Sequence, residues 1–101
     1  DGREVYVAEG VLRMIDDDPN VHGNLTGSAV TMNVALRRLC DYAELDPAEA
    51  IRWGSTNPAT TLGIQHETGS ITIGKFADLV IMDDDFDIKA TFLKGRQIYT
   101  I

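Results

Sequence analysis

The segment from Asn57 to Asp83 places the tightest constraint on the fold, because turn residues divide it into short elements. Its order predicts a short helix ending at Gly63, a hairpin turn at Gly69 and a second turn at Gly74-Lys75. Four apolar residues then follow without interruption, in Leu79–Met82. A strand of this kind is apolar on both faces and needs cover on two sides. The chain offers few elements for that cover, so we expect further structure beyond it to complete the fold.

Turn and capping signals divide the rest of the N-terminal half. Val5–Leu12 predicts a hairpin with its turn at Glu9-Gly10. From Ser28 the apolar spacing becomes helical. Asp46-Pro47 predicts the start of a second helix, with an acceptor at the cap and proline at the first position, and Asn57-Pro58 predicts a third helix in the same way.

The C-terminal third reads as β-structure. Ile71 and Ile73 alternate with Thr72, which predicts a half-exposed strand. A last hairpin is expected from Ile88 to Ile101, turning around Lys94-Gly95-Arg96. Seen alone, the chain is therefore predicted to be α+β, with one hairpin, two or three central helices and three or four C-terminal strands.

Composition excludes several classes of partner. The chain has 101 residues, 44% of them hydrophobic, which suits one globular domain. Its net charge of −7 argues against nucleic acid and against an anionic membrane surface, since both require a basic face. The single cysteine, Cys40, rules out an internal disulfide framework and favours a reducing, cytoplasmic compartment. No apolar run approaches the roughly 18 residues of a membrane span.

The two acidic runs, Asp16–Asp18 and Asp83–Asp85, are interpreted as solvated turns. A calcium loop would need alternating oxygen ligands, a central glycine and a closing glutamate, which neither run supplies. The two histidines, His22 and His66, lie far apart in glycine-flanked loops, without a His-x-His motif. We therefore predict no metal ligand and no catalytic residue in this chain.

One segment has the properties of a binding site. Gly23–Ser28 is a glycine-bracketed stretch that is predicted to lead directly into a helix N-terminus. Glycines allow the backbone to approach a ligand closely, and a helix start offers free N–H donors. The alternative is that Ser28 or Thr31 caps the helix with its own hydroxyl group. The spacing alone leaves both interpretations open.

Two segments carry a resemblance to a known family. The residues Asn57-Pro58-Ala59, Leu62-Gly63, Gly69-Ser70-Ile71, Gly74-Lys75 and Ala77–Val80 resemble a motif near the C-terminus of many amidohydrolases. The stretch Asn24–Met32 is more specific, because it resembles the substrate loop and helix start of the N-acetylglucosamine-6-phosphate deacetylases. The sequence is thus similar to the C-terminal quarter of a member of that family.

This resemblance implies an α/β fold. Residues 1–67 would form the end of a (β/α)8 barrel, with the hairpin, the substrate loop and the last helices, and residues 68–101 would form part of a small β-sandwich domain. The family uses a divalent metal such as zinc to activate water, and an aspartate to move the proton. In the family, the metal ligands and this aspartate belong upstream of the segment that this sequence resembles. Leu25, Thr26 and Gly27 match the substrate-contacting segment, and Thr26 stands where the family usually has a small residue.

The implied partners are a phosphorylated amino sugar, the remainder of the barrel and a second copy of the protein in a homodimer. The implied activity is hydrolysis of N-acetylglucosamine 6-phosphate to glucosamine 6-phosphate and acetate, in amino-sugar catabolism, with the 101 residues inactive by themselves. Two alternatives remain. The chain could belong to another amidohydrolase, acting on a cyclic amide or an N-acyl amino acid, or it could be a small α+β module without catalysis.

Overall fold

The computed structural model describes residues 2–101. The chain divides into two compact units, Asp1–Thr31 and Met32–Ile101. The first unit contains a three-stranded antiparallel sheet, and the second contains three helices followed by another three-stranded antiparallel sheet. This content confirms the predicted α+β character. The predicted domain boundary between residues 67 and 68 concerns a longer protein and stays a prediction.

The sheet of the first unit is built from β1 (Val5–Ala8), β2 (Val11–Met14) and β3 (Leu25–Ser28), in that order. Glu9 and Gly10 form the turn between β1 and β2, with φ angles of 53° and 76°. Two consecutive residues with positive φ give a turn whose twist matches that of the flanking strands. The hairpin predicted from Glu9-Gly10 is therefore confirmed.

The prediction of a loop leading directly into a helix is wrong for Leu25–Ser28. These residues form a strand because β2 lies beside them and supplies a pairing edge, which the sequence pattern does not display. The first helix, α1, begins later and spans Met32–Ala43. Ser28 does not cap this helix; its Oγ accepts a hydrogen bond from the N–H of Val30 at 3.1 Å.

Two further helices follow, α2 (Pro47–Trp53) and α3 (Thr56–Thr61). The predicted cap at Asp46 is confirmed, since its Oδ1 accepts the N–H of Ala48 at 2.9 Å. The third helix predicted from Asn57-Pro58 is confirmed, but its predicted cap is wrong, because α3 begins at Thr56 and Ser55 occupies the cap position. Among residues 2–101, no helix combines the length and apolar composition that a membrane crossing requires.

The sheet of the second unit consists of β4 (Leu79–Met82), β5 (Ile88–Leu93) and β6 (Arg96–Thr100), in that order. The predicted final hairpin is confirmed, and Lys94 and Gly95 form its turn with φ angles of 49° and 80°. The predicted strand at Leu79–Met82 is present as well. Its central residues Val80 and Ile81 are each 53% exposed, so the chain itself leaves much of this strand uncovered.

Between α3 and β4 the structure differs from the prediction. Gly69 does not turn a hairpin. It lies against α3, where an added Cβ would come within 2.6 Å of the Cβ of Ala59. Ile71 and Ile73 are not in a strand, because no described segment pairs with them, and both are almost fully exposed. A strand needs a neighbouring strand to pair with, and the alternation of apolar and polar residues in one segment does not show whether such a neighbour is present.

The buried core is small. In the second unit it comprises Ala50, Ala59, Phe86 and Ala90, and in the first unit it comprises Met14. Asn33 of α1 donates from Nδ2 to the carbonyl of Phe86 at 3.0 Å, which ties α1 to the turn between β4 and β5. Many large apolar side chains remain exposed, among them Leu62, Ile71 and Ile73.

Candidate functional site

The three predicted substrate-binding residues lie on β3, an exposed strand at one edge of the first sheet. Their pairing with β2 is irregular, because Leu12 pairs with Gly27 and Arg13 pairs with Leu25. Thr26 is therefore the extra residue of a β-bulge. Bulges interrupt the hydrogen-bond ladder, re-aim the local side chains and are common beside active sites. The middle residue of the predicted motif is thus the one that β2 does not pair.

The bulge also separates the residues on either side of Thr26. In a regular strand Leu25 and Gly27 would face the same way, since side chains alternate with a period of two. Here Leu25 is paired with Arg13 and Gly27 with Leu12, so the two positions belong to opposite faces of the sheet. A Cβ at Gly27 would lie 3.5 Å from Cδ1 of Leu12, in agreement with this placement.

Both side chains that precede Gly27 are available to a ligand. Leu25 is 67% exposed. Thr26 is exposed, and its hydroxyl makes no hydrogen bond to any of residues 2–101. The backbone of an edge strand carries unpaired N–H and C=O groups on its outer side. Leu25–Gly27 therefore presents an apolar side chain, an unbonded hydroxyl and the outer backbone groups of an edge strand within three residues.

The helix expected to begin directly after this segment begins later in the chain. Residues 29–31 separate β3 from α1, and the N–H of Ala29 donates to the carbonyl of Gly10 at 3.2 Å. The segment predicted to bind substrate is consequently an edge strand with a bulge, and it does not run directly into a helix.

The connection from β2 to β3, residues 15–24, is a turn closed by its own hydrogen bonds. Asp18 lies at its centre, with its Oδ1 accepting from the N–H and Nδ2 of Asn20 and its carbonyl accepting from Val21 and His22. Asn24 donates from Nδ2 to the carbonyl of Asn20. Asp16–Asp18 is exposed throughout, which confirms the interpretation of this acidic run as a solvated turn.

Three side chains from β1, β2 and the turn meet beside the entry to β3. The rings of Tyr6 and His22 stack with centroids 5.9 Å apart and planes inclined by 23°. Arg13 donates from Nη1 to the carbonyl of Gly23 at 2.9 Å. Sequence reasoning missed Tyr6 and Arg13, because only the strand register brings them together with the turn. No motif in the sequence marks them.

The metal ion that the family resemblance implies does not fit the residues described. Within residues 2–101, no three side chains of His, Cys, Asp or Glu are grouped closely enough to hold an ion. The Nδ1 atom of His22 accepts the N–H of Asp16 at 3.3 Å, and Nε2 of His66 lies 3.7 Å from Glu67 in an exposed pair. Neither imidazole converges with other ligands, so no reaction step is assigned to a metal held by this chain.

The second acidic turn, between β4 and β5, is organised around Asp83. Lys89 donates from Nζ to Oδ2 of Asp83 at 2.8 Å, while Oδ1 accepts the N–H groups of Asp85 and Asp87. The bond from Lys89, followed by that from Asp87, lowers the pKa of Asp83 below its ordinary value of 3.8. The same bond to Asp83 raises the pKa of Lys89 above 10.5. Both groups are solvent-exposed.

An open cavity of about 540 Å³ lies beside this turn in the second unit. One guanidinium, that of Arg37, lines it together with four carboxylates; these belong to Asp41, Asp84, Asp85 and Asp87. An excess of negative charge repels a phosphate group. The cavity is therefore unsuited to an anionic ligand, and β3 remains the candidate binding segment.

Comparison with known proteins assigns the family. The chain matches the amidohydrolase family over residues 5–98. It is 35% identical over 77 residues to an N-acetylglucosamine-6-phosphate deacetylase of Vibrio furnissii, covering 76% of this chain and 19% of that protein. It is 32% identical over 95 residues to an N-acetylgalactosamine-6-phosphate deacetylase of Escherichia coli O157:H7, covering 94% of this chain and 24% of that protein.

The structural comparison agrees. The crystal structure of an N-acetylglucosamine-6-phosphate deacetylase from Pasteurella multocida superposes with a TM-score of 0.78 at 30% identity, covering 95% of this chain and 24% of that one. The chain thus spans about a quarter or less of the length of these relatives. Since the family match extends over nearly all of the chain, from residue 5 to residue 98, this chain belongs to the amidohydrolase family.

Proposed function

We propose that these 101 residues are the C-terminal part of a metal-dependent hydrolase that converts N-acetylglucosamine 6-phosphate to glucosamine 6-phosphate and acetate. The carrying observation is the bulged edge strand Leu25–Ser28, whose exposed residues coincide with the segment that resembles the substrate loop of such deacetylases. Relatives that bear this activity in their names match most of the chain. Such a reaction would belong to amino-sugar catabolism.

In this proposal the chain binds and orients the substrate, while the residues that catalyse the hydrolysis belong to other parts of the protein. The unpaired backbone around Thr26 and the side chain of Leu25 would contact the sugar or its N-acetyl group. The metal ligands, the aspartate that moves the proton and the groups that hold the phosphate would be supplied by residues outside the 101. A divalent metal such as zinc would polarise the amide and activate water when bound there.

The exposed apolar surface supports a larger protein around this chain. Leu62 is 72% exposed, Ile71 is 91% exposed and Ile73 is fully exposed, which is unusual for side chains that gain about 1.5 to 3 kcal/mol on burial. We propose that the remainder of a (β/α)8 barrel and its β-domain cover these residues, with the division near residue 67. A homodimer and a cytoplasmic location complete the proposal.

The test is acetate release by the complete polypeptide that carries residues 1–101. We expect turnover of N-acetylglucosamine 6-phosphate, dependent on a divalent metal and abolished by a chelator. The isolated 101 residues, assayed in parallel, should release no acetate because the proposal places the metal ligands outside them. Hydrolysis of a cyclic amide or an N-acyl amino acid, without acetate release from the sugar phosphate, would contradict the proposal and favour another amidohydrolase.

A second candidate substrate is the 4-epimer, N-acetylgalactosamine 6-phosphate. It is favoured by the similarity to a deacetylase named for that sugar, which covers 94% of this chain. The two sugars differ only in the orientation of one hydroxyl group, so the same assay distinguishes them through the ratio of their kcat/KM values. A ratio above one for the glucose epimer supports the first assignment.

A further inference from the structure

We infer that Tyr6, Arg13 and His22 form a positioning clamp that holds the bulged strand Leu25–Ser28 in the orientation needed to contact substrate. This inference rests on the proposed function, because it treats β3 as the substrate-binding segment. The three residues come from β1, from β2 and from the end of the turn that leads into β3. None of them is expected to touch the reacting atoms.

The strand register places the clamp on the same face as Leu25. Tyr6 pairs with Arg13, and Arg13 pairs in turn with Leu25, so the three residues form one row across the sheet. Directly paired residues on neighbouring strands project from the same face. The side chains of Tyr6 and Arg13 therefore lie on the face from which Leu25 projects, and Gly27 belongs to the opposite face.

The clamp holds the turn at its last two residues before Asn24. His22 stacks on the ring of Tyr6, and its Nδ1 accepts the N–H of Asp16. Gly23 is held from both sides, since its carbonyl accepts from Arg13 at 2.9 Å and its N–H donates to Met14 at 2.9 Å. Gly23 has a φ of 83°, a conformation that glycine adopts without strain. The direction in which the chain enters β3 is fixed at this point.

Closing the turn does not require the clamp. Asp18 and Asn20 already close it through bonds within residues 16–24. What those bonds leave undefined is the position of the turn relative to β1 and the register of β3. The register of β3 is weakly specified by burial, because all four of its residues are exposed and one of them is glycine. The stack on Tyr6 and the bond from Arg13 oppose a slip of that register, which would otherwise exchange the faces of Leu25 and Gly27.

The experiment compares His22→Ala with His22→Phe in the complete polypeptide that carries residues 1–101. The first variant removes both the stack and the acceptor, whereas the second retains an aromatic ring. His66→Ala is the matched control, since His66 is an exposed histidine in the second unit. Deuterium uptake of peptides covering residues 15–28 reports the order of β3, and KM and kcat for N-acetylglucosamine 6-phosphate report its effect on binding.

For His22→Ala we expect faster uptake in residues 15–28 and a KM raised by roughly twofold to tenfold, the range that corresponds to one aromatic pair, with kcat changed by less than about twofold. His22→Phe should restore most of both values, and His66→Ala should change neither. Unchanged uptake in His22→Ala, or faster uptake with an unchanged KM, overturns the inference. If the parent protein releases no acetate, the proposed function fails. The clamp is then tested by deuterium uptake alone, and unchanged uptake in His22→Ala still overturns it.

Discussion

The two three-stranded sheets of this protein contain the same local features, a hairpin turn and a β-bulge, but the bulged side chains make different contacts. Each contains a two-residue hairpin turn with positive φ angles, at Glu9-Gly10 and at Lys94-Gly95. The first sheet contains one β-bulge and the second contains two, of which the one between β4 and β5 is compared with it. In the first sheet the bulged residue is Thr26, whose hydroxyl has no partner among residues 2–101. In the second sheet the residue left over between Ala90 and Ile88 is Lys89, whose amine binds Asp83.

The two bulged side chains differ in whether they are bonded to the rest of the chain. A bulged side chain that is bonded to the neighbouring turn fixes that turn, as Lys89 does. A bulged side chain that is left free, beside unpaired backbone, is available to a ligand, as Thr26 is. The second sheet is thus predicted to contribute stability, and the edge of the first sheet is predicted to contribute binding. Substitutions at matched positions test this distinction.

The largest effect on stability is expected from Phe86→Ala in the turn between β4 and β5. Phe86 is only 5% exposed, and its truncation should lower the free energy of unfolding by about 3 to 5 kcal/mol. The matched substitution in the first sheet is Thr26→Ala, for which we expect a change within about 0.5 kcal/mol. Urea denaturation of the complete polypeptide followed by circular dichroism measures both.

The same pair of variants should give the opposite order in substrate binding. Thr26→Ala is expected to alter KM because Thr26 lies in the proposed binding segment. The conservative variant Phe86→Leu, which keeps the apolar side chain, should leave KM unchanged. A stability loss for Thr26→Ala comparable to that of Phe86→Ala would remove the distinction between the edge of the first sheet and the second sheet.

A smaller effect is expected at Asp78, which fixes the hairpin turn of the second sheet. Its Oδ1 accepts the N–H of Lys94 at 2.8 Å, and its Oδ2 accepts the hydroxyl of Thr68 at 3.0 Å. Asp78→Ala should lower the free energy of unfolding by about 1 to 3 kcal/mol, because it removes two hydrogen bonds of roughly 0.5 to 1.5 kcal/mol each. The control is Thr68→Val, which removes only one of the two bonds and should cost less. Equal losses for the two variants would show that the bond to Lys94 contributes nothing.

Local chemistry decided which parts of this fold could be predicted from sequence. The turn at Glu9-Gly10 and the cap at Asp46 follow from residues that are adjacent in the chain, and the structure confirms both. Leu25–Ser28 could not be recognised as a strand, because its pairing depends on β2, beyond an intervening turn of ten residues, 15–24. Gly69 could not be placed either, since its role is a close approach to Ala59.

The candidate site, too, depends on contacts between strands that the sequence alone does not reveal. The positions Leu25, Thr26 and Gly27 came from a resemblance, and no sequence pattern indicated that Thr26 would be the bulged residue. A bulge is a property of two strands, so one strand read alone does not contain it. Tyr6 and Arg13 were missed for the same reason, because each is an ordinary strand residue until the register aligns it with Leu25.

The smallest effect is expected from pH, acting on the bond between Asp83 and Lys89. The pKa of Asp83 is lowered in the folded protein, so its contribution to stability is present above pH 3.8 and is lost as the pH falls through the lowered value. The pKa of Lys89 is raised, so its contribution is present below pH 10.5 and is lost as the pH rises through the raised value. The pair therefore stabilises the second sheet between these limits, weakly because both groups are exposed.

Nuclear magnetic resonance titration of the Asp83 carboxyl carbon measures this effect directly. Lys89→Met should raise the pKa of Asp83 toward 3.8, because the first and largest cause of its depression is removed while the bonds from Asp85 and Asp87 remain. Asp84→Asn is the matched control, since it removes a charge from the same turn but no hydrogen bond among residues 2–101. If Lys89→Met leaves the pKa of Asp83 unchanged, the bulged lysine does not fix the turn, and the contrast with Thr26 loses its physical basis.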